Sequence, residues 1–191
     1  MNAGDPSPED IRAAAEVAPD DAVEPLETIA DGFEDEGEAF FESEDFGENF
    51  ATVGKIANDE CADEVLEVDA VDYGFEGLPA EVEAGLVGID FSNKGTELHE
   101  LVILRKNDGV TQSFDEILAL GEEEGQALVT EAGGSFAFPG ESAATLIDVE
   151  DSGEYAAVCF IPVGSTPDAG EEGGDGPPHF TQGMKSEFTV S

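Results

Sequence analysis

Basic residues are almost absent from this chain. Six Lys and Arg stand against 47 Asp and Glu, a formal net charge of −41 over 191 residues. A chain so short of positive charge offers no basic face to a phosphate backbone, and nucleic acid is not an expected partner. Long apolar runs are missing too, and none approaches the roughly eighteen residues that a membrane span requires. The opening Met-Asn-Ala-Gly-Asp-Pro has no basic stretch and no apolar run behind it, so no secretory signal is visible. Histidine and cysteine are scarce, with two of each. No Ser-His-Asp order, metalloprotease His pair or phosphate-cradling Gly loop occurs. The Asp-rich loops lack the EF-hand pattern for calcium.

Acidity of this degree ordinarily reads as disorder. Against that, 40% of the residues are hydrophobic, and the C-terminal two thirds carries apolar residues at period 2. The expectation is a folded protein solvated for high salt, from a halophilic source. At about 1 M salt the Debye length falls to roughly 3 Å and carboxylate repulsion is screened.

The length suits one domain and a small second element, and the pattern divides the chain at residue 62. Residues 1–62 read as an acidic helical segment. Ser7 is placed to cap a helix with Pro8 at its first position. Asp20-Asp21 starts a second, with Val23, Leu26, Ile29, Ala30 and Phe33 on one face, and a third spans Phe46 to Ala57. The apolar stripes are thin, so a partly ordered arm is the alternative.

Residues 63–191 read as mainly β. Strands are expected over Val65–Val71, Ala84–Phe91, Leu98–Leu104, Phe136–Phe138, Ala144–Val149, Tyr155–Ile161 and Glu187–Val190. A short helix is expected around Phe114, Ile117, Leu118 and Leu120, stopping at Gly121. Glu122-Glu123-Glu124 reads as a solvated loop and Ser92-Asn93-Lys94-Gly95 as a turn. About seven short strands with regular turns indicate an antiparallel sandwich or barrel. The stretch Gly164 to Pro178, rich in Gly, Pro and acid, reads as loop.

Both histidines, one cysteine and the only internal methionine fall in two short regions. One ends at His99; the other runs from Cys159 to His179 and Met184. A thiolate and two imidazoles in a plane, with a long axial thioether, make a one-electron copper site. Taken singly, each residue has a blander reading. Either His is a structural or solvated side chain, Met184 is core filler, and Cys159 is a buried thiol or half of a disulfide with Cys61. Alternation places His99, Leu101 and Ile103 on one strand face, and Tyr155, Ala157 and Cys159 on another, so both ligands can point inward at one end of a sandwich.

These residues resemble the cupredoxins, the small blue copper proteins, over roughly residues 64–191. Gly153-Glu154-Tyr155-Ala156-Ala157-Val158-Cys159 fits the family's Gly-x-Tyr-x-x-x-Cys, and His179 with Met184 fits its His-x-x-x-x-Met. Pro139-Gly140-Glu141 precedes a strand as in plastocyanin-like members, and His99 follows an Asn-Lys-Gly turn where the family's first His lies. The resemblance implies a Greek-key β-sandwich and one type 1 copper ion held by His99, Cys159, His179 and Met184. It also implies a non-enzymatic electron carrier, a monomer that meets a redox partner protein, with a home outside the cytoplasm. Electrons are expected to pass through the exposed edge of a ligand His.

Two departures stand out. Nineteen residues separate Cys159 from His179, where small cupredoxins have only a few, which implies a loosely held ligand loop. Glu100 replaces the Asn that often follows the first His and braces the ligand loop. Copper delivery or storage, or a metal-free interaction module, are therefore the alternatives. With only two His, no ligands remain for a second, catalytic copper centre.

The charge makes the first prediction. The melting temperature rises strongly as salt is added and structure is lost on desalting. Equal melting temperatures at low and high salt would refute this.

Overall fold

The computed structural model describes residues 7–167 and 174–191. The first six residues and the middle of the Gly164–Pro178 stretch lie outside the described residues. No helix among the described residues is long and apolar enough to cross a membrane.

Three helices come first. In α1, Pro8–Ala15, the Ser7 hydroxyl accepts from the Asp10 N–H, and the Asp10 carboxylate accepts from the Ser7 N–H at 2.9 Å. This reciprocal box satisfies donors that a helix start leaves free. Helix α2, Asp20–Glu36, buries Ala22, Ile29, Ala30 and Phe33. A 3-10 turn over Gly37–Glu42 leads to α3, Glu44–Cys61, capped by Ser43. The apolar stripes are narrow, and aromatic rings fill the space between the helices. Phe33, Phe40 and Phe46 meet edge to face at 5.4–5.8 Å between centroids, a favoured arrangement for aromatic pairs.

Nine strands follow among the described residues: β1 Glu64–Val71, β2 Gly74–Glu76, β3 Glu81–Val82, β4 Leu86–Asn93, β5 His99–Lys106, β6 Val129–Ala137, β7 Ser142–Asp148, β8 Gly153–Val158 and β9 Lys185–Val190. They form two sheets, β2-β1-β4-β7 and β3-β9-β8-β5-β6. The chain crosses repeatedly between the sheets, giving a cupredoxin-like β-sandwich. Its core lies between them, with Val68, Ile89, Phe91, Leu101, Ile103, Tyr155 and Ala157 all essentially inaccessible. The outer face of the second sheet, at Leu104, Ala156 and Val158, is covered by Phe114 and Ile117 of α4, Phe114–Leu118.

Several expectations need correction. The sandwich is not wholly antiparallel: β1 pairs parallel with β4, and β3 with β9. Strands β2 and β3 have three and two residues, too few for a period to register. Strand β6 begins at Val129 rather than Phe136. Gly133 and Gly134 interrupt its alternation, at the point where the pairing with β5 slips between Ile103 and Leu104. Ser92 and Asn93 end β4 instead of making a turn. The buried Asn93 amide donates to the Glu97 and Ala137 carbonyls at 2.8 and 2.9 Å and accepts from the Gly95 N–H at 2.8 Å. The backbone over Glu122–Gln126 forms a short helix, α5, rather than a loop.

Helix α3 lies across β7, and Gly54 is the closest approach. A Cβ there would collide with the Ala144 carbonyl, whereas one at Gly47 of the same helix meets open space. Gly54→Ala is expected to destabilise the fold by about 1–3 kcal/mol through overpacking. Gly47→Ala should be neutral or stabilising by up to about 1 kcal/mol. Thermal or urea unfolding of both variants checks the helix–sheet contact.

Candidate metal centre

Strands β5 and β8 are antiparallel neighbours with Val102 opposite Val158. The start of β5 and the end of β8 therefore share one end of the sandwich. His99 is the first residue of β5, and Cys159 follows the last residue of β8. Strand β9 pairs with β8 through Val158 and Lys185, which brings Met184 level with Cys159. The Cys159 N–H donates to the Met184 carbonyl at 3.2 Å. His179 opens a 3-10 turn, His179–Gln182, whose geometry depends on Gly183 in the left-handed region at φ 114°.

The long insertion does not leave the site loose. Its base is a closed antiparallel neck. Pro162 bridges to Pro178, the Val163 N–H donates to the Pro177 carbonyl and the Gly176 N–H to the Val163 carbonyl, both at 3.0 Å. Inside the neck, the His179 N–H donates to the Ile161 carbonyl and the Phe180 N–H to the Cys159 carbonyl, both at 2.9 Å. The neck closes the ring locally, so the length beyond it adds only a logarithmic entropy cost. Glu100, where a bracing Asn was expected, also ties the two segments. Its carboxylate accepts from the Phe160 N–H at 2.7 Å, and its own N–H points at the Cys159 sulfur at 3.5 Å.

Three of the sequence-predicted residues, His99, Cys159 and His179, bring their donor atoms to one buried place, and the Met184 backbone hydrogen-bonds to Cys159 and His179 beside them. The Nδ1 atoms of His99 and His179 are 3.2 Å apart, and the Cys159 Sγ is 3.3 Å from the His179 Nδ1. One ligand atom from each of these three residues lies within 4.8 Å of the others. His99, Cys159, His179 and Met184 are all fully buried. Both cysteines are free, Cys61 exposed and Cys159 buried, which removes the disulfide alternative.

Two acidic residues that sequence reasoning missed complete the surroundings. The His99 Nε2 lies 2.8 Å from the Asp72 carboxylate and the His179 Nε2 lies 3.1 Å from that of Glu97. Nothing in the sequence marks these two among 47 acids; only their position on the imidazoles does. Burial alone would raise the Asp72 carboxyl, but hydrogen bonds from His99 and Thr96 outweigh it and hold it below the usual carboxylate range. Glu97 is held low in the same way, burial being outweighed by the Gly164 N–H, His179 and the Tyr73 hydroxyl. Burial lowers the His99 imidazole, favouring the neutral form that binds metals. Burial also pushes the Cys159 thiol up to about 12.

This donor set fits a soft cation. If each Nε2–H donates to its carboxylate, both Nδ1 atoms are left as acceptors facing each other beside a thiol. A shared metal ion removes that conflict and draws off the thiol proton, since coordination deprotonates a thiol outright. Two imidazoles, one thiolate and a neighbouring thioether suit one type 1 copper ion.

The chain resembles the blue copper cupredoxins. No family model matches it, and no curated protein matches it. Among solved structures, auracyanin B is 18% identical, covering 69% of this chain and 91% of that one with a TM-score of 0.44. Dithionite-reduced auracyanin from the photosynthetic bacterium Roseiflexus castenholzii is 19% identical, covering 69% and 98% with a TM-score of 0.43. The copper protein rusticyanin is 16% identical, covering 66% and 76% with a TM-score of 0.40. These likenesses are remote, and the chemical reading rests on the side chains themselves.

The expected exposed imidazole edge is not found. Both rings are fully buried, their outer nitrogens are covered by carboxylates, and Tyr73 packs on His179 with ring centroids 4.9 Å apart. Burial of Cys159 also sets a prediction for the metal-free protein. Alkylation under native conditions should modify one thiol, Cys61, and alkylation in denaturant should modify two. Rapid native modification of both, read by mass spectrometry, would show the site to be open.

Proposed function

We propose that the chain is a one-electron carrier with a single type 1 copper ion, which His99, Cys159, His179 and Met184 would hold. The observation that carries this reading is the convergence of three buried donor atoms, two nitrogens and one sulfur, within 4.8 Å. Copper bound there supplies one-electron exchange between Cu(I) and Cu(II). The protein's part is to hold the donors still and dry. Backbone hydrogen bonds at the neck and the Glu100 brace limit movement of the ligand loop, which favours electron transfer over delivery or storage, where a pliable loop would serve. The facing Nδ1 atoms count against a metal-free module. Both of the chain's histidines are used by this one centre, which favours a carrier over an enzyme. In this reading the protein is a monomer that works outside the cytoplasm and passes electrons to a redox protein.

Copper titration followed by visible absorption tests the reading. The wild type should develop an intense blue band that saturates at one equivalent, and Cys159→Ser should abolish the band while leaving the fold intact by circular dichroism. Tight Cu(I) binding without blue colour would favour storage, and no copper binding would remove the metal centre altogether.

A further inference from the structure

We infer that Asp72 and Glu97 are positioning residues that lock both imidazoles with Nδ1 toward the metal and bias the centre toward its oxidised state. This rests on the copper reading above and extends it to residues outside the ligand set.

The two carboxylates differ from the chain's other acids in being aimed and anchored. Asp72 receives the Thr96 N–H at 3.1 Å and the Thr96 hydroxyl at 2.8 Å while it engages His99. Glu97 receives the Tyr73 hydroxyl at 2.9 Å and the Gly164 N–H while it engages His179. Their side chains are only 29% and 15% exposed, so water does not screen them as it screens the surface acids. The anchors interlock. Tyr73 adjoins Asp72 in sequence yet binds Glu97, Thr96 adjoins Glu97 yet binds Asp72, and the Leu98 N–H ties this turn to the Ser165 carbonyl at 2.9 Å. One unit thus holds both rings from behind.

Two consequences follow from general chemistry. A carboxylate on one ring nitrogen fixes the proton there, leaves the other nitrogen free to bind metal and raises its basicity. A second effect is charge. Two poorly screened negative charges behind the ligands stabilise the higher-charged ion, Cu(II), relative to Cu(I). Removing either charge should therefore raise the reduction potential. A tenfold loss in the ratio of Cu(II) to Cu(I) affinity corresponds to about 59 mV for a one-electron couple, and a shift of about that size is expected per carboxylate.

The experiment is redox titration of the copper-loaded wild type, Asp72→Asn, Glu97→Gln and the double variant. These amides keep an acceptor for the Nε2–H and delete only the charge. Asp108→Asn is the control, because Asp108 is a surface residue, 91% exposed, just beyond the far end of β5 from His99. A rise in reduction potential of about 59 mV for each single variant, the tenfold fall in the ratio of Cu(II) to Cu(I) affinity, larger in the double variant and absent in the control, supports the inference. Unchanged potentials in blue, copper-loaded variants overturn it while leaving the carrier reading intact. A wild type that binds no copper removes both. If the variants do not load, nitrogen-15 spectra of the Cu(I) wild type decide. Protons on both Nε2 atoms support the inference, and metal bound through either Nε2 overturns it.

Discussion

The meeting of the two imidazoles with the Cys159 sulfur, 3.2 and 3.3 Å across and sealed from water, is the constraint to which the rest of this end of the molecule answers. Buried polar atoms must find partners or cost free energy. The outer nitrogens find theirs in Asp72 and Glu97. Those carboxylates, themselves partly buried, find theirs in Thr96, Tyr73 and Gly164. The buried Asn93 amide then fixes the turn that carries Thr96 and Glu97. What remains facing inward is a set of acceptors and one thiol, an arrangement that a cation completes.

The sandwich supplies the rigidity. Strands β5, β8 and β9 are adjacent in one sheet, so three of the four donors are set by ladder register rather than by loop conformation. Only His179 comes from a loop, and its backbone hydrogen-bonds to the segment that follows Cys159. Length in such a loop is cheap once its base is paired. The nineteen-residue insertion therefore changes the surface beside the site more than the site itself.

Acidity works differently on the outside and at the centre. All six basic residues are engaged in ion pairs: Arg12 with Asp31 and Glu34, Lys55 with Asp59, Lys94 with Asp69, Arg105 with Asp108, Lys106 with Glu154 and Lys185 with Asp115. The acidic partner is exposed in every one of them, and pairs with an exposed partner contribute little to stability. Many of the remaining carboxylates lie on the exposed surface. The pair behind the imidazoles has another use, and composition gives no hint of it.

The ligand types, their order along the chain and the inward faces of β5 and β8 are legible in the amino-acid sequence, because side-chain alternation and motif spacing are local properties. So are the three helices and the short helix at Phe114, although that helix ends at Leu118 and Gly121 instead caps the start of α5. Other features lie beyond its reach because they depend on which segments sit side by side. The parallel pairing of β1 with β4, the two shortest strands and the Gly-interrupted start of β6 exist only through their partners. The neck of the insertion, the Glu100 brace and the burial of both imidazoles depend on contacts between stretches that are sixty to eighty residues apart in the chain, or that close only at the foot of a loop. Asp72 and Glu97 show this most plainly. One carboxylate in the sequence is chemically the same as the next, and only folding decides which ones end beside a histidine nitrogen and away from water.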